Sequence, residues 1–279
     1  MRTTLIVTSA DEAATMSRNE KRLRKWLFGI LITLTFVVRS YATITLSYNV
    51  AYNQNFDSLA SSGTPAWTDN STIAGWYSSR TAYTPSTGTG TSGGLYSYGV
   101  AGVNAITDRA LGSLATGPSG TIFYGAAFQV AATTTSLLIK YEGEQWRKGD
   151  NANTLAFAYF VGDPTSVSSG EAGWTPVTGL NFTGPQSGSP NAALDGNAAA
   201  NRSSISFTIN GLNIASGSDV WIRWSDPDNA GNDAGLAIDN FAITAVPEPA
   251  GWGLISGGAL FAIFVLRARR DFISRNGTR

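Results

Sequence analysis

The sequence predicts an all-β fold, a jelly-roll β-sandwich ectodomain flanked by an N-terminal signal-peptide helix and a C-terminal transmembrane helix. Three observations predict it. Between residues 43 and 245, short runs of β-branched and aromatic residues alternate with Gly, Asn, Asp and Ser punctuation, and hardly any stretch suits a helix. Within several runs the large side chains fall at every second position, as a half-buried strand requires. At each end of the chain, an apolar run lies beside a cluster of basic residues.

At the N-terminus, Lys21, Arg22, Arg24 and Lys25 precede an apolar run over 26–38, followed by Ser40-Tyr41-Ala42. That order is the n-region, h-region and cleavage site of a secretory signal, so residues 1–42 read as a signal peptide cut by signal peptidase after Ala42. Thirteen apolar residues are too few for a comfortable membrane span, which disfavours a retained anchor. A start at Met16 would shorten the n-region and make residues 1–15 a start-site artefact.

Strands are expected near 44–50, 73–83, 95–100, 121–130, 136–146, 154–161, 203–209, 219–225 and 235–244. Leu155, Phe157, Tyr159 and Val161 alternate with the small Ala156 and Ala158, and Val220, Ile222 and Trp224 alternate with Trp221 and Arg223. Near-regular strands with no repeating period favour a double-sheet jelly roll over a propeller or β-helix. The low-complexity stretches 84–94 and 184–201 read as loops too polar and glycine-rich to bury anything. The sandwich has no cysteine, so core packing alone must hold it.

The C-terminal region, 246–279, has three parts. Val246-Pro247-Glu248-Pro249 is followed by an uncharged run over 250–266 and then by a basic tail, 267–279, that opens with Arg267, Arg269 and Arg270. Seventeen residues at helical rise cover roughly 25 Å, the short end of what crosses a bilayer. The arginines would stay on the cytoplasmic side and orient the Pro-Glu-Pro motif outward. A buried core helix is disfavoured by Gly251, Gly253, Gly257 and Gly258, which weaken a soluble helix but are common in membrane helices. A plain anchor without processing stays open. The arrangement resembles the PEP-CTERM sorting signal of exported bacterial proteins. That resemblance implies recognition and processing by an exosortase, with an inner-membrane-anchored precursor that then passes to the cell envelope or extracellular surface.

Charge narrows the functions available to the ectodomain. Residues 43–249 hold seven basic and fifteen acidic residues, a net charge of −8. A domain this acidic repels a phosphate backbone, so nucleic-acid binding is excluded, while a cation or a neutral glycan remains compatible. The chain has no histidine and no cysteine, which removes Ser-His-Asp and Cys-His catalysis and the usual zinc sites. Glycoside hydrolysis by two carboxylates needs neither.

One segment could supply those carboxylates. In Lys140-Tyr141-Glu142-Gly143-Glu144-Gln145-Trp146-Arg147, strand periodicity puts Glu142, Glu144 and Trp146 on one face, with the acids roughly 7 Å apart at the backbone. Trp146 would be the sugar platform, with Glu142 and Glu144 dividing the acid and nucleophile roles. The segment departs from the Glu-x-Asp-x-x-Glu strand of laminarinase-type glycosidases, because Arg147 replaces the last acid. The competing reading is surface ion pairing of these acids with Lys140, Arg147 or Lys148.

A second segment, residues 226–233, offers Asp226, Asp228, Asn229 and Asp233 on a glycine-bent loop as oxygen ligands for Ca2+. An EF-hand is rejected, since Ala230 and Ala237 occupy ligand positions. Capping of a β-turn by the same side chains is the alternative. Asp239, between apolar neighbours, is expected to be a buried, hydrogen-bonded aspartate near that loop.

Three short motifs carry a resemblance across the domain: Gln54-Asn55-Phe56-Asp57, Gly143-Glu144-Gln145-Trp146-Arg147, and Gly235-Leu236-Ala237-Ile238-Asp239-Asn240-Phe241. They resemble the uncharacterised jelly-roll ectodomains found ahead of this sorting signal. They are also similar, more loosely, to concanavalin-type lectin sandwiches and carbohydrate-binding modules. The expectation is an exported, membrane-tethered, non-catalytic cell-surface or matrix protein with extracellular polysaccharide as a partner. The alternative is a carboxylate-dependent glycoside hydrolase or lyase.

Overall fold

The computed structural model describes residues 44–100 and 108–246. The expectations for the signal peptide at 1–42 and for residues 247–279 lie outside the described residues, as do both terminal helices. Among the described residues no helix is long and apolar enough to cross a membrane.

Fourteen strands are described. They are β1 (Ile44–Leu46), β2 (Tyr52–Gln54), β3 (Trp76–Ser78), β4 (Tyr83–Ser86), β5 (Gly94–Tyr98), β6 (Ala110–Leu114), β7 (Ile122–Val130), β8 (Ser136–Arg147), β9 (Thr154–Val161), β10 (Thr175–Pro176), β11 (Phe182–Thr183), β12 (Arg202–Ile209), β13 (Asp219–Asp226) and β14 (Gly235–Val246). They form two sheets. The first is ordered β1-β7-β13-β9-β10, with β3 also on β7 and β11 on β9. The second is ordered β12-β8-β14-β6-β5-β4, with β2 also on β14. Each of the long strands β7, β8, β9, β12, β13 and β14 lies in the other sheet from its predecessor in that series. The core is therefore assembled from alternate residues of both sheets, as a β-sandwich requires.

Alternation works as the sequence predicts. Val220, Ile222 and Trp224 of β13 face the core, while Trp221 packs with Tyr77, Ala127 and Trp174 on the outer face. Trp224 is the hub of the interior: it stacks on Trp76 at 6.2 Å and meets Tyr141, Phe157 and Phe241 edge-on at 5.2 to 5.7 Å. On the outer face of the first sheet, the Arg223 guanidinium lies 4.1 Å from the Trp174 ring centre and pairs with Glu171 at 2.6 Å. That arginine ties the 162–174 loop to the sheet.

A bulge in β14 sets the parity of the second sheet. Asp239 pairs with Glu142, and the next pair is Ala242 with Lys140, so β14 carries one extra residue there. Asn240 takes it up at φ +49°, in the left-handed region that asparagine tolerates. Ile238 faces the core before the bulge and Phe241 and Ile243 after it, which leaves Ala237 and Asp239 on the outer face. The last ladder pair of β14 is Val246 with Ser136, so Val246, expected within the tail motif, is a sandwich residue.

Candidate functional site

The outer face of the second sheet holds most of the residues singled out by sequence. Glu142, Glu144 and Trp146 do share that face. The Trp146 indole N–H donates to Glu144 Oε2 at 2.9 Å, and Ser204 Oγ of the adjacent β12 donates to Glu142 Oε1 at 2.5 Å. Glu142 sits opposite Asp239 and Glu144 opposite Ala237 across the β8–β14 ladder, so Asp239 joins the two glutamates rather than the 226–233 loop. Among the described residues Glu142 and Glu144 make no salt bridge, so the surface ion-pair reading is corrected as well.

This acidic face is closed over Glu144, Trp146 and Asp239, while Glu142 is half-buried. Glu144 is 1% exposed, Trp146 1% and Asp239 3%. Trp146 therefore presents no open sugar platform, and its ring lies parallel to Tyr98 at 5.8 Å. The cover comes from the two stretches expected to bury nothing. In 184–201, the Leu194 N–H donates to the Trp146 carbonyl at 2.8 Å, Asn197 donates to Asp108 at 2.8 Å, and Gly196 lies so close that a Cβ there would sit 2.4 Å from the indole. In 84–94, a Cβ on Gly88 would sit 1.8 Å from the Trp146 carbonyl oxygen, and Arg147 donates to the Gly88 carbonyl at 3.3 Å. Low complexity here means close backbone approach, which side chains would prevent.

Burial changes the acid–base state of these carboxyls. It pushes Glu144 up to about 7, opposed by the indole bond from Trp146 and reinforced by the charge of Asp108. Asp239 rises to about 8, first through burial and next through the charge of Glu144. Among the described residues, Glu144 Oε1 and Asp239 Oδ1 have no hydrogen-bond partner. Protonation is the natural way for two adjacent, dry carboxyls to avoid an unpaired charge.

The four residues expected to hold calcium do not converge as a set: Asp228, Asn229 and Asp233 lie close together, but Asp226 is apart from them. Asp226 is wholly buried and turns away from the loop, accepting from Ser113 Oγ on β6 at 2.7 Å, and burial pushes it up to about 7. Asp233 accepts from Asn153 Nδ2 at 2.9 Å and from the Asn229 backbone N–H at 3.2 Å. Asn229 donates to the Pro227 carbonyl, and Asp228 is exposed. Among the described residues no group of three acidic side chains is arranged to hold a metal ion. The loop's polar groups are spent on turn capping and on bridging the sheets.

Open space lies elsewhere. A cavity of about 650 Å³ borders β4 and β5, walled by the hydroxyl-bearing Ser61, Thr84, Ser86, Thr87, Thr89 and Ser92, with Tyr96 and Arg109 also lining it. Sequence reasoning missed it, because its wall is the stretch that reads as a loop too polar and glycine-rich to bury anything. The usable signal was chemical: every residue of 84–92 other than glycine and proline carries a hydroxyl.

No protein-family model and no curated protein matches this sequence. Among solved structures, the chain is similar to the CBM22-2 xylan-binding domain of Xyn10C from Paenibacillus barcinonensis, with TM-score 0.36, 11% identity, and 70% of this chain and 99% of that chain covered. It is also similar to the K2 cleaved adhesin domain of Lys-gingipain, with TM-score 0.35, 14% identity, and 70% and 97% covered. A third likeness is to the enzymatically active domain of tailspike protein 4 of bacteriophage CBA120, with TM-score 0.34, 8% identity, and 62% and 20% covered. The chain thus spans about a fifth of the tailspike chain. Likenesses of this size assign no activity.

Proposed function

We propose that this chain is an exported, envelope-tethered surface protein whose jelly-roll sandwich binds polysaccharide without cleaving it. One contrast carries the binding reading: Glu144, one of the two carboxyls a hydrolase would use, is buried with Trp146 beneath two arms, while the open cavity is walled by hydroxyls. A hydrolase needs both carboxyls at the scissile bond, one holding a proton and one ionised. A binder needs hydroxyl and amide groups that exchange hydrogen bonds with sugar, beside an aromatic or aliphatic surface. The alternation of long strands between sheets supports the jelly-roll assignment.

The tethering reading rests on the tail. The order of Pro247-Glu248-Pro249, uncharged run and arginines is what an exosortase substrate would present. The enzyme alternative has one observation in its favour: Glu144, raised to about 7, holds a proton near neutrality as a general acid does. It would require the 184–201 arm to leave Trp146. A glycan-array screen of the exported protein tests the binding reading; retention of at least one polysaccharide is expected, and a blank array overturns it.

A further inference from the structure

The cavity beside β4 and β5 is the first of three that adjoin one another along the 84–93 arm. It shares Ser92 with a second, of about 560 Å³, and the second shares Thr91 and Thr116 with a third, of about 210 Å³. Each contains one arginine: Arg109 in the first, Arg80 in the second and Arg147 in the third. Only seven basic residues occur between 43 and 249, so three of the seven line this row of adjoining cavities.

None of the three is ion-paired among the described residues, although the domain holds twice as many acids as bases. Their guanidinium groups are propped on neutral oxygens instead. Arg80 donates to the Ser119 carbonyl, Arg109 to the Ser97 carbonyl and to Ser97 Oγ, and Arg147 to the Gly88 carbonyl. A guanidinium has five N–H donors, and these bonds use one or two. Arg80 Nε is buried with no partner among the described residues. An arginine positioned by neutral oxygens, with donors to spare and facing a cavity, is arranged to take a planar anion in a fork.

Building on the polysaccharide-binding reading above, we infer that the ligand is an acidic polysaccharide: its carboxylates are read by Arg109, Arg80 and Arg147 in turn, and its neutral sugars lie against the hydroxyls of the 84–92 wall. Acids flank the row. Asp57 accepts from the Arg109 backbone N–H at 3.1 Å, Asp108 precedes Arg109, and Asp228 and Asp233 border the third cavity. With the domain at net −8, these acids repel a densely charged polymer. The fit is therefore to intermittent carboxylates separated by neutral sugars.

The test is calorimetric titration of the full chain in detergent micelles with oligomers of deacylated gellan, a linear glycan with one glucuronate per repeat. The same oligomers with the carboxyl reduced to an alcohol serve as the neutral partner. Expected is binding of the acidic form roughly 10-fold tighter or more, the scale of a charge-assisted hydrogen bond. Arg80→Gln and Arg147→Gln should each weaken the acidic form several-fold and leave the reduced form unchanged. Arg109 is packed against Ser97, so Arg109→Lys is the variant there; it keeps the charge, loses the fork, and should weaken acidic binding in the same sense. Melting curves identify any variant that fails to fold. Equal affinity for the two oligomers, or variants that weaken both alike, overturns the anionic assignment and leaves polysaccharide binding standing. Binding of neither oligomer, alongside a glycan array with hits among neutral polysaccharides only, also overturns the anionic assignment; with a blank array as well, both readings fall.

Discussion

At the residue scale, the buried carboxyls make a prediction with a definite sign. Glu144, Asp226 and Asp239 are each raised by burial, to about 7, 7 and 8. The folded state therefore binds protons more tightly than the unfolded chain, whose carboxyls titrate near ~4. The stability these groups contribute is fully present below that range and is lost as pH rises through 7 to 8. The protein should melt several degrees higher at about pH 5 than at about pH 8.5. Glu144→Gln, which keeps an oxygen for the Trp146 indole, should reduce the slope of stability against pH between 5 and 8 by up to one proton, or ~1.4 kcal/mol per pH unit. A variant with the parental slope would mean that Glu144 is ionised and solvated in the folded protein. Period-two alternation made the shared face of Glu142, Glu144 and Trp146 legible in the sequence. The burial of Glu144 and Trp146 was not legible, because what covers Trp146 comes from sequence positions some 50 residues away on either side.

At the element scale, the long strands were legible, as were the short β1, β3 and β5, and several other short ones were not. β7, β8, β9, β12, β13 and β14 declare themselves by alternating large side chains. β2, β6, β10 and β11 span two to five residues each, and β4 contains Pro85, which argues against a strand when read locally. Their extended state comes from the neighbouring strand they pair with. Asp239 was misplaced for a related reason: the extra residue at Asn240 shifts the parity of β14, and a one-residue bulge leaves no periodic trace. The two arms over Trp146 belong to the same lesson, since composition alone cannot distinguish a free loop from one pressed onto a sheet. Gly88 tests the difference. It has φ +83° and no room for a Cβ, so Gly88→Ala should destabilise the protein by about 1–3 kcal/mol and render the 84–93 arm sensitive to protease. An unchanged melting temperature and protease resistance would mean the arm does not press on Trp146.

At the scale of the whole molecule, the sandwich and its tail are separate arguments. We predict that Glu248→Ala, which leaves the uncharged run and the arginines untouched, inserts into the inner membrane normally and accumulates as unprocessed precursor in a host carrying the matching exosortase. Maturation at the parental rate would make 250–266 an ordinary anchor. For the sandwich, the deciding contrast is between a buried Glu144 and an open wall of hydroxyls. One assay on the purified chain reads both sides of it: incubation with immobilised polysaccharides, scoring protein retained and reducing ends released in the same wells. The account predicts retention on at least one polysaccharide with no reducing ends above the blank. Release of reducing ends that disappears in Glu144→Gln would contradict it, and would mean that the arms over Trp146 open to a working active site.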